Sequence, residues 1–118
     1  MAFVGLDIGG TTIDGVLLGP DDVVLARARR ASGRGAEAVL RHAVEVVGAL
    51  LDGAGPGREP VAVGVGVPGT VDPARGVVSN AVNLDLRETA LGPALARAVG
   101  VPVAVENDVN VAAVGAAH

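Results

Sequence analysis

The chain has 118 residues, half of them hydrophobic, with one phenylalanine as its single aromatic side chain and a net charge of −4. That balance supplies no basic stripe to neutralise phosphates, which argues against nucleic acid, and no apolar run reaches the ~18 residues of a membrane span. There is no cysteine and all nine basic residues are arginine, so disulfides, thiolate metal sites and lysine chemistry are excluded within the chain.

One domain with a core of Val, Leu and Ala is expected at this length. No charged n-region followed by an apolar h-region opens the chain, so a soluble cytoplasmic protein is expected. Ala2 to Leu6 reads as a buried strand with Asp7 near its end. Gly9-Gly10 is expected to turn the chain through positive φ, and Ile13 to Leu18 resumes an apolar, β-branched pattern, so the whole reads as a tight hairpin. Gly19-Pro20-Asp21-Asp22 is a turn, Val23 to Arg30 a third strand, and Ser32-Gly33-Arg34-Gly35 a loop. Arg27 and Arg29 alternate onto one face, as on a solvated edge strand.

From Ala36 to Leu51 the period becomes helical, with Ala36, Leu40, Ala43, Val44, Val47, Leu50 and Leu51 on the inward face. His42 falls off that stripe and reads as a surface residue. Gly53 to Pro60 loops out, and Val61 to Val67 reads as a strand buried on both faces. Pro68 to Pro73 breaks it, Gly76 to Ser79 is a short extended piece, and Asn80 to Leu84 is irregular. A second helix fits Glu88 to Val99, with Leu91, Leu95 and Ala98 or Val99 inward; Gly92-Pro93 is expected to delay its regular start until Pro93, and Gly100 ends it. Pro102 to Glu106 is another buried strand, and Val111 to Val114 begins a last helix. The expected architecture is α/β, a mixed sheet with helices on its faces. Its first three strands are antiparallel, and its later strands parallel to the first.

Two clusters carry chemistry. Asp7-Ile8-Gly9-Gly10-Thr11-Thr12 combines a carboxylate, a turn without side chains at its tip, and two hydroxyls. Bare backbone N–H groups and hydroxyl donors suit phosphate, and Asp7 can hold Mg²⁺ directly or through water. The same residues also make an ordinary hairpin turn, and alone they leave the two readings even. The second cluster, Glu106-Asn107-Asp108-Val109-Asn110, lies at the carboxyl end of a parallel strand, where open α/β sheets place ligands. One of these residues suits a helix N-cap. Several amide and carboxylate groups together exceed what a cap needs.

Four motifs then stand in order: Asp7-x-Gly9-Gly10-Thr11, Gly64-x-Gly66-x-Pro68-Gly69-x-Val71-Asp72, Asn83-Leu84, and Pro102-Val-x-Val-Glu106-Asn107-Asp108-x-Asn110-x-Ala112-Ala113. Together they resemble the ROK family of bacterial sugar kinases (glucokinase, fructokinase, N-acetylmannosamine kinase) and sugar-responsive repressors. The resemblance implies an actin-like (ribonuclease H-like) ATPase domain, ATP and Mg²⁺ as cofactors, and a hexose or hexosamine as acceptor. It assigns Gly9, Gly10, Thr11 and Thr12 to the ATP phosphates and Asp7 to the metal. It assigns Gly69 and Asn107 to sugar binding, and Asp108 both to sugar binding and to the role of general base.

Two positions depart from the family pattern. Thr12 stands where lysine is common, and Asp85-Leu86 stands where an aromatic commonly follows the Asn-Leu pair. The family's second domain, with its structural Zn²⁺ site and adenosine pocket, is expected outside these 118 residues. The chain is thus expected to be the N-terminal domain of a two-domain kinase, inactive alone. A homo-oligomer is also expected, through an apolar face around Val109, Val111 and Val114. The rival readings are a sugar-sensing regulator of the same family, which would carry a DNA-binding segment ahead of the first strand, and a stand-alone actin-like interaction domain.

Overall fold

A computed structural model describes residues 2–55, 57 and 59–107. Strand β1 (Ala2–Ile8) runs into β2 (Thr12–Leu18) and then β3 (Val24–Ala31). Helix α1 (Ala36–Ala54) leads to β4 (Pro60–Gly66). A small hairpin follows, β5 (Thr70–Asp72) with β6 (Val77–Ser79), then a 3₁₀ turn at Val82–Leu84. Helix α2 (Leu91–Val99) and β7 (Val103–Glu106) complete the described fold.

The five long strands form one sheet in the order β3-β2-β1-β4-β7. β1 pairs antiparallel with β2, and β2 with β3, while β4 is parallel to β1 and β7 to β4. The mixed sheet matches the expected pattern, with arginine-bearing β3 at an edge. Short turns permit antiparallel pairing between the first strands, whereas each later strand is reached through a helix and must run parallel. α1 packs on β2 and β3, α2 packs on β7, and the helices also touch each other, so both cover the same face.

That face carries the core. Val4, Leu6 and Ile8 of β1 and Ile13 and Leu17 of β2 are buried beneath Val39, Ala43, Val46, Val47 and Leu50 of α1. The helix is rotated from the expected stripe. Val39 and Val46 are inside, Ala36 is exposed, and Leu40, Val44 and Leu51 are only half-buried. On α2 the inward residues are Leu91 and Leu95; Ala98 is exposed while Val99 packs against the core. β4, with Ala62 through Gly66 all buried, is covered on both faces as its unbroken apolar run predicts.

Three further expectations are corrected. The break after β4 is a hairpin of two three-residue strands, and Thr89 exchanges backbone hydrogen bonds of 2.8 and 2.7 Å with Val78. α2 begins at Leu91 rather than Glu88, whose φ of 34° is incompatible with a right-handed helix. α1 runs on to Ala54 and stops at Gly55, with φ of 81°. The helical start at Val111 to Val114 lies outside the described residues.

Helix α1 can approach the sheet because Gly15 of β2 has no side chain. A Cβ there would stand 2.4 Å from Val46 Cγ1 and 3.1 Å from both Leu50 and Leu6. Valine cannot swing aside, since its β-branch fixes χ1 in a helix. Gly15→Ala is therefore expected to destabilise the fold by about 1–3 kcal/mol, the usual cost of overpacking. Paired with Val46→Ala, the loss should be less than additive, because the second change removes the clash. Urea denaturation of the four members of that cycle checks both expectations, and additive losses would exclude this contact.

Candidate functional site

Register brings the motifs to one edge of the sheet. Asp7 is level with Gly66, and Gly66 with Glu106, along three mutually parallel strands. The next residues, Gly9-Gly10 after β1, Pro68-Gly69 after β4 and Asn107 after β7, all leave at that carboxyl edge. Val67 N–H donates to the Glu106 carbonyl at 3.0 Å and keeps the last two strands paired to their ends. Asp108 and Asn110, with the apolar face at Val109, Val111 and Val114, lie outside the described residues, as does His118.

The Gly9-Gly10 hairpin closes with Gly9 N–H donating to the Thr12 carbonyl at 2.7 Å. Neither glycine has a positive φ, which corrects the expected reason for their presence. The space around them is tight instead. A Cβ on Gly10 would lie 3.2 Å from Asn83 Cβ, and one on Gly9 3.3 Å from the Thr12 carbonyl oxygen. Asn83, in the 3₁₀ turn, is thus the backstop of the hairpin tip. The N–H groups of Gly10 and Thr11 have no acceptor among the described residues. Thr11 is exposed, and its Oγ1 lies 3.3 Å from Thr12 Oγ1. Two free amides and two hydroxyls at an exposed tip form a cradle that fits an anion.

Asp7 projects from the sheet face opposite the helices and is exposed. Its cross-strand neighbour is Asp14, whose own neighbour is Arg29. Like charges directly opposite repel. Arg29 Nε donates to Asp14 Oδ1 and neutralises that carboxylate, while Asp7 makes no ion pair among the described residues. No three His, Cys, Asp or Glu side chains cluster among those residues. A single carboxylate beside a tip that fits an anion is a donor set that suits Mg²⁺, which commonly takes one protein carboxylate with substrate phosphates and water.

Gly69 has φ of 100°, and a Cβ there would stand 2.7 Å from the Ser79 carbonyl oxygen. Its backbone needs glycine at that turn whatever it binds. Asn107 is exposed at the strand exit. The Asp85-Leu86 departure divides between turn and core: Asp85 takes the left-handed conformation with φ of 53°, and Leu86 is buried.

Sequence reasoning passed over the 32–35 loop, which ties the pieces together. Ser32 Oγ donates to the Gly9 carbonyl at 2.7 Å, and Ser32 N–H to the Thr11 carbonyl at 3.0 Å. Arg34 Nη1 donates to the Asn83 carbonyl at 3.1 Å, and Gly35 N–H to that of Leu84 at 2.8 Å. His42, read as a surface residue, is half-buried and lies 3.1 Å from the Ser32 carbonyl through Nδ1. The usable signal was a serine among glycines directly after an edge strand, but its partners lie too far away in sequence to be inferred.

The model of the family described as ROK matches residues 3–118. The glucokinase of Streptomyces coelicolor is 37% identical over 112 residues, covering 95% of this chain and 34% of that protein. The glucokinase of Thermotoga maritima is 32% identical over 118 residues, covering 98% of this chain and 36% of its own length. The chain therefore spans about a third of these curated relatives. A ROK family glucokinase from Streptomyces griseus, solved with glucose and AMPPNP, superposes with a TM-score of 0.79 at 34% identity over 91% of this chain and 33% of that one. ROK sugar kinases have the actin-like ATPase fold, and the mixed sheet described above is that fold. By motif order, fold and the span of the match, the chain belongs to the ROK family.

Proposed function

We propose that this chain supplies the phosphate-binding wall and the acceptor-activating residues of an ATP-dependent sugar kinase. The observation that carries the reading is convergence at one sheet edge. The Gly9-Gly10 tip, whose Gly10 and Thr11 amides have no acceptor among the described residues, leaves the same edge as Gly69 and Asn107. Open α/β sheets bind ligands at that edge. The glucokinase relatives, one of them solved with glucose and AMPPNP, support ATP as donor and a hexose as acceptor, glucose being the first to test. In this reading Gly9, Gly10, Thr11 and Thr12 hold the phosphates, Asp7 carries Mg²⁺, and Gly69 and Asn107 contact the sugar. When bound, the metal would neutralise charge on the phosphates.

Asp108, adjacent to Asn107, is the proposed general base. The sugar hydroxyl oxygen bonds to the γ-phosphorus, the bond from that phosphorus to the ADP oxygen breaks, and Asp108 takes the hydroxyl proton. Phosphoryl transfer depends chiefly on positioning and charge neutralisation, so the carboxylate acts by orienting the acceptor and accepting its proton late.

In the complete gene product, Asp108→Asn is expected to lower kcat by about 10²–10⁴-fold with little change in sugar KM, the usual cost of losing a positioned base. A coupled ADP-release assay checks this, and retained activity would reduce Asp108 to a helix cap. Expressed alone, the 118 residues are expected to fold but to show no turnover. Donor and acceptor must be held together with water excluded, and correct positioning contributes on the order of 7–11 kcal/mol. The same assay with glucose, mannose, fructose and N-acetylmannosamine, beside circular dichroism, tests it. Turnover by these residues alone would show that the site needs no further wall.

A further inference from the structure

Besides its own Gly9 N–H bond to the Thr12 carbonyl, the Gly9-Gly10 hairpin is held from outside by Ser32. Among the described residues Ser32 is the one buried polar side chain, with 0% exposure. A buried hydroxyl costs free energy unless its hydrogen bonds are made. All of Ser32's bonds serve the hairpin or its anchor: Oγ–H to the Gly9 carbonyl, N–H to the Thr11 carbonyl, and its own carbonyl to His42. A carbonyl can only accept, so His42 Nδ1 carries the proton in that bond.

The bond to Gly9 has a directional consequence. In a trans peptide the C=O and the following N–H point in opposite directions. Drawing the Gly9 carbonyl towards Ser32 therefore aims the Gly10 N–H away from Ser32. That N–H is one of the two tip amides without an acceptor among the described residues. The anchor is built to the same tolerance. Gly33, with φ of 76°, has no Cβ because one would stand 3.1 Å from His42 Cε1 and Nδ1 and 3.0 Å from Ala38. The glycine lets the imidazole reach Ser32 from the first turns of α1.

We propose that Ser32, braced by His42, is a positioning residue for the phosphate hairpin, setting the Gly9 peptide so that the Gly10 N–H faces the nucleotide. The proposal rests on the phosphate-cradle reading given above. It separates Ser32 from a residue that only stabilises the fold, because its loss should be felt by the nucleotide and not by the sugar.

The test uses the complete protein as wild type, Ser32→Ala and Ser32→Thr, with thermal melting as a folding control. Ser32→Ala is expected to lower kcat/KM for ATP roughly 10–100-fold, the scale of a lost buried hydrogen bond and a misplaced reacting group. Sugar KM should stay within about twofold, and Ser32→Thr, which keeps the hydroxyl, should recover most of the loss. Equal losses for ATP and sugar, unchanged ATP kinetics, or no recovery in Ser32→Thr would overturn the proposal. Amide hydrogen exchange provides a readout independent of activity. Gly9 and Ser32 N–H, bonded within the hairpin and its anchor, should exchange faster in Ser32→Ala, and unchanged protection overturns the positioning role whatever the kinetics. A wild type that phosphorylates no hexose would sink the kinase reading and leave the exchange result to decide the role of Ser32.

Discussion

Strand β1 is hydrogen-bonded along both edges, antiparallel to β2 on one side and parallel to β4 on the other, and the site depends on that double pairing. The antiparallel side forces the chain to reverse immediately after Ile8, which creates an exposed tip of small residues. The parallel side sends the carboxyl ends of β4 and β7 to the same edge as the tip. A one-residue slip in either register would turn Asp7 from the exposed face into the core. Burial of Leu6 and Ile8 on one face and exposure of Asp7 between them make the slip costly from both sides.

A core nearly free of aromatic residues shapes how this sheet is covered. Val, Leu and Ala bury less area each than aromatic rings, so close approach must supply what bulk does not. Close approach is where the glycines act. Gly15 lets α1 settle on β2, Gly76 and Gly92 face each other where a Cβ on either would stand 3.1 Å from the other's Cα, and Gly10 rests on Asn83. The hairpin tip thus rests against Asn83 on one side while Gly10 and Thr11 remain exposed on the other.

Much of this was legible in the residues. The apolar, β-branched stretches of β1 and β2, the unbroken apolar run of β4 and the helical period of α1 each express a local rule that burial enforces. The failures share a cause, which is dependence on distant partners. The face of α1 is rotated from the expected one: Ala43, Val47 and Leu50 are buried as expected, but Val39 and Val46 are inside where Ala36 and Leu40 were expected, Val46 meeting Gly15, and periodicity alone tolerates a rotation of that size. β5 and β6 are three residues each, too short for a pattern, and are secured partly by a bridge to Thr89. The Gly9-Gly10 pair was recognised as a turn for the wrong reason. Neither glycine has left-handed backbone, and what crowds Gly10 is Asn83, 73 residues further on. Ser32 and His42 were invisible for the same reason, since one hydroxyl and one imidazole mean little until their partners are known.

In the proposed reading, an acidic chain without lysine binds the phosphates by means other than gross charge. Formal charge is −4, and Thr12 brings a neutral hydroxyl to the tip. Arg29 is paired with Asp14, and Arg34 spends one N–H on the Asn83 carbonyl. At the tip itself the donors are backbone amides and two threonine hydroxyls, and the amides differ from a flexible cation in one respect. A lysine ammonium can follow its target on four rotatable carbons, whereas an amide acts only along the direction in which its peptide plane is fixed. Affinity in such a site is therefore governed by orientation, and orientation by the groups behind the loop. That places the energetic weight of the proposed phosphate site on buried hydrogen bonds around Ser32 as much as on the exposed residues that would touch the ligand.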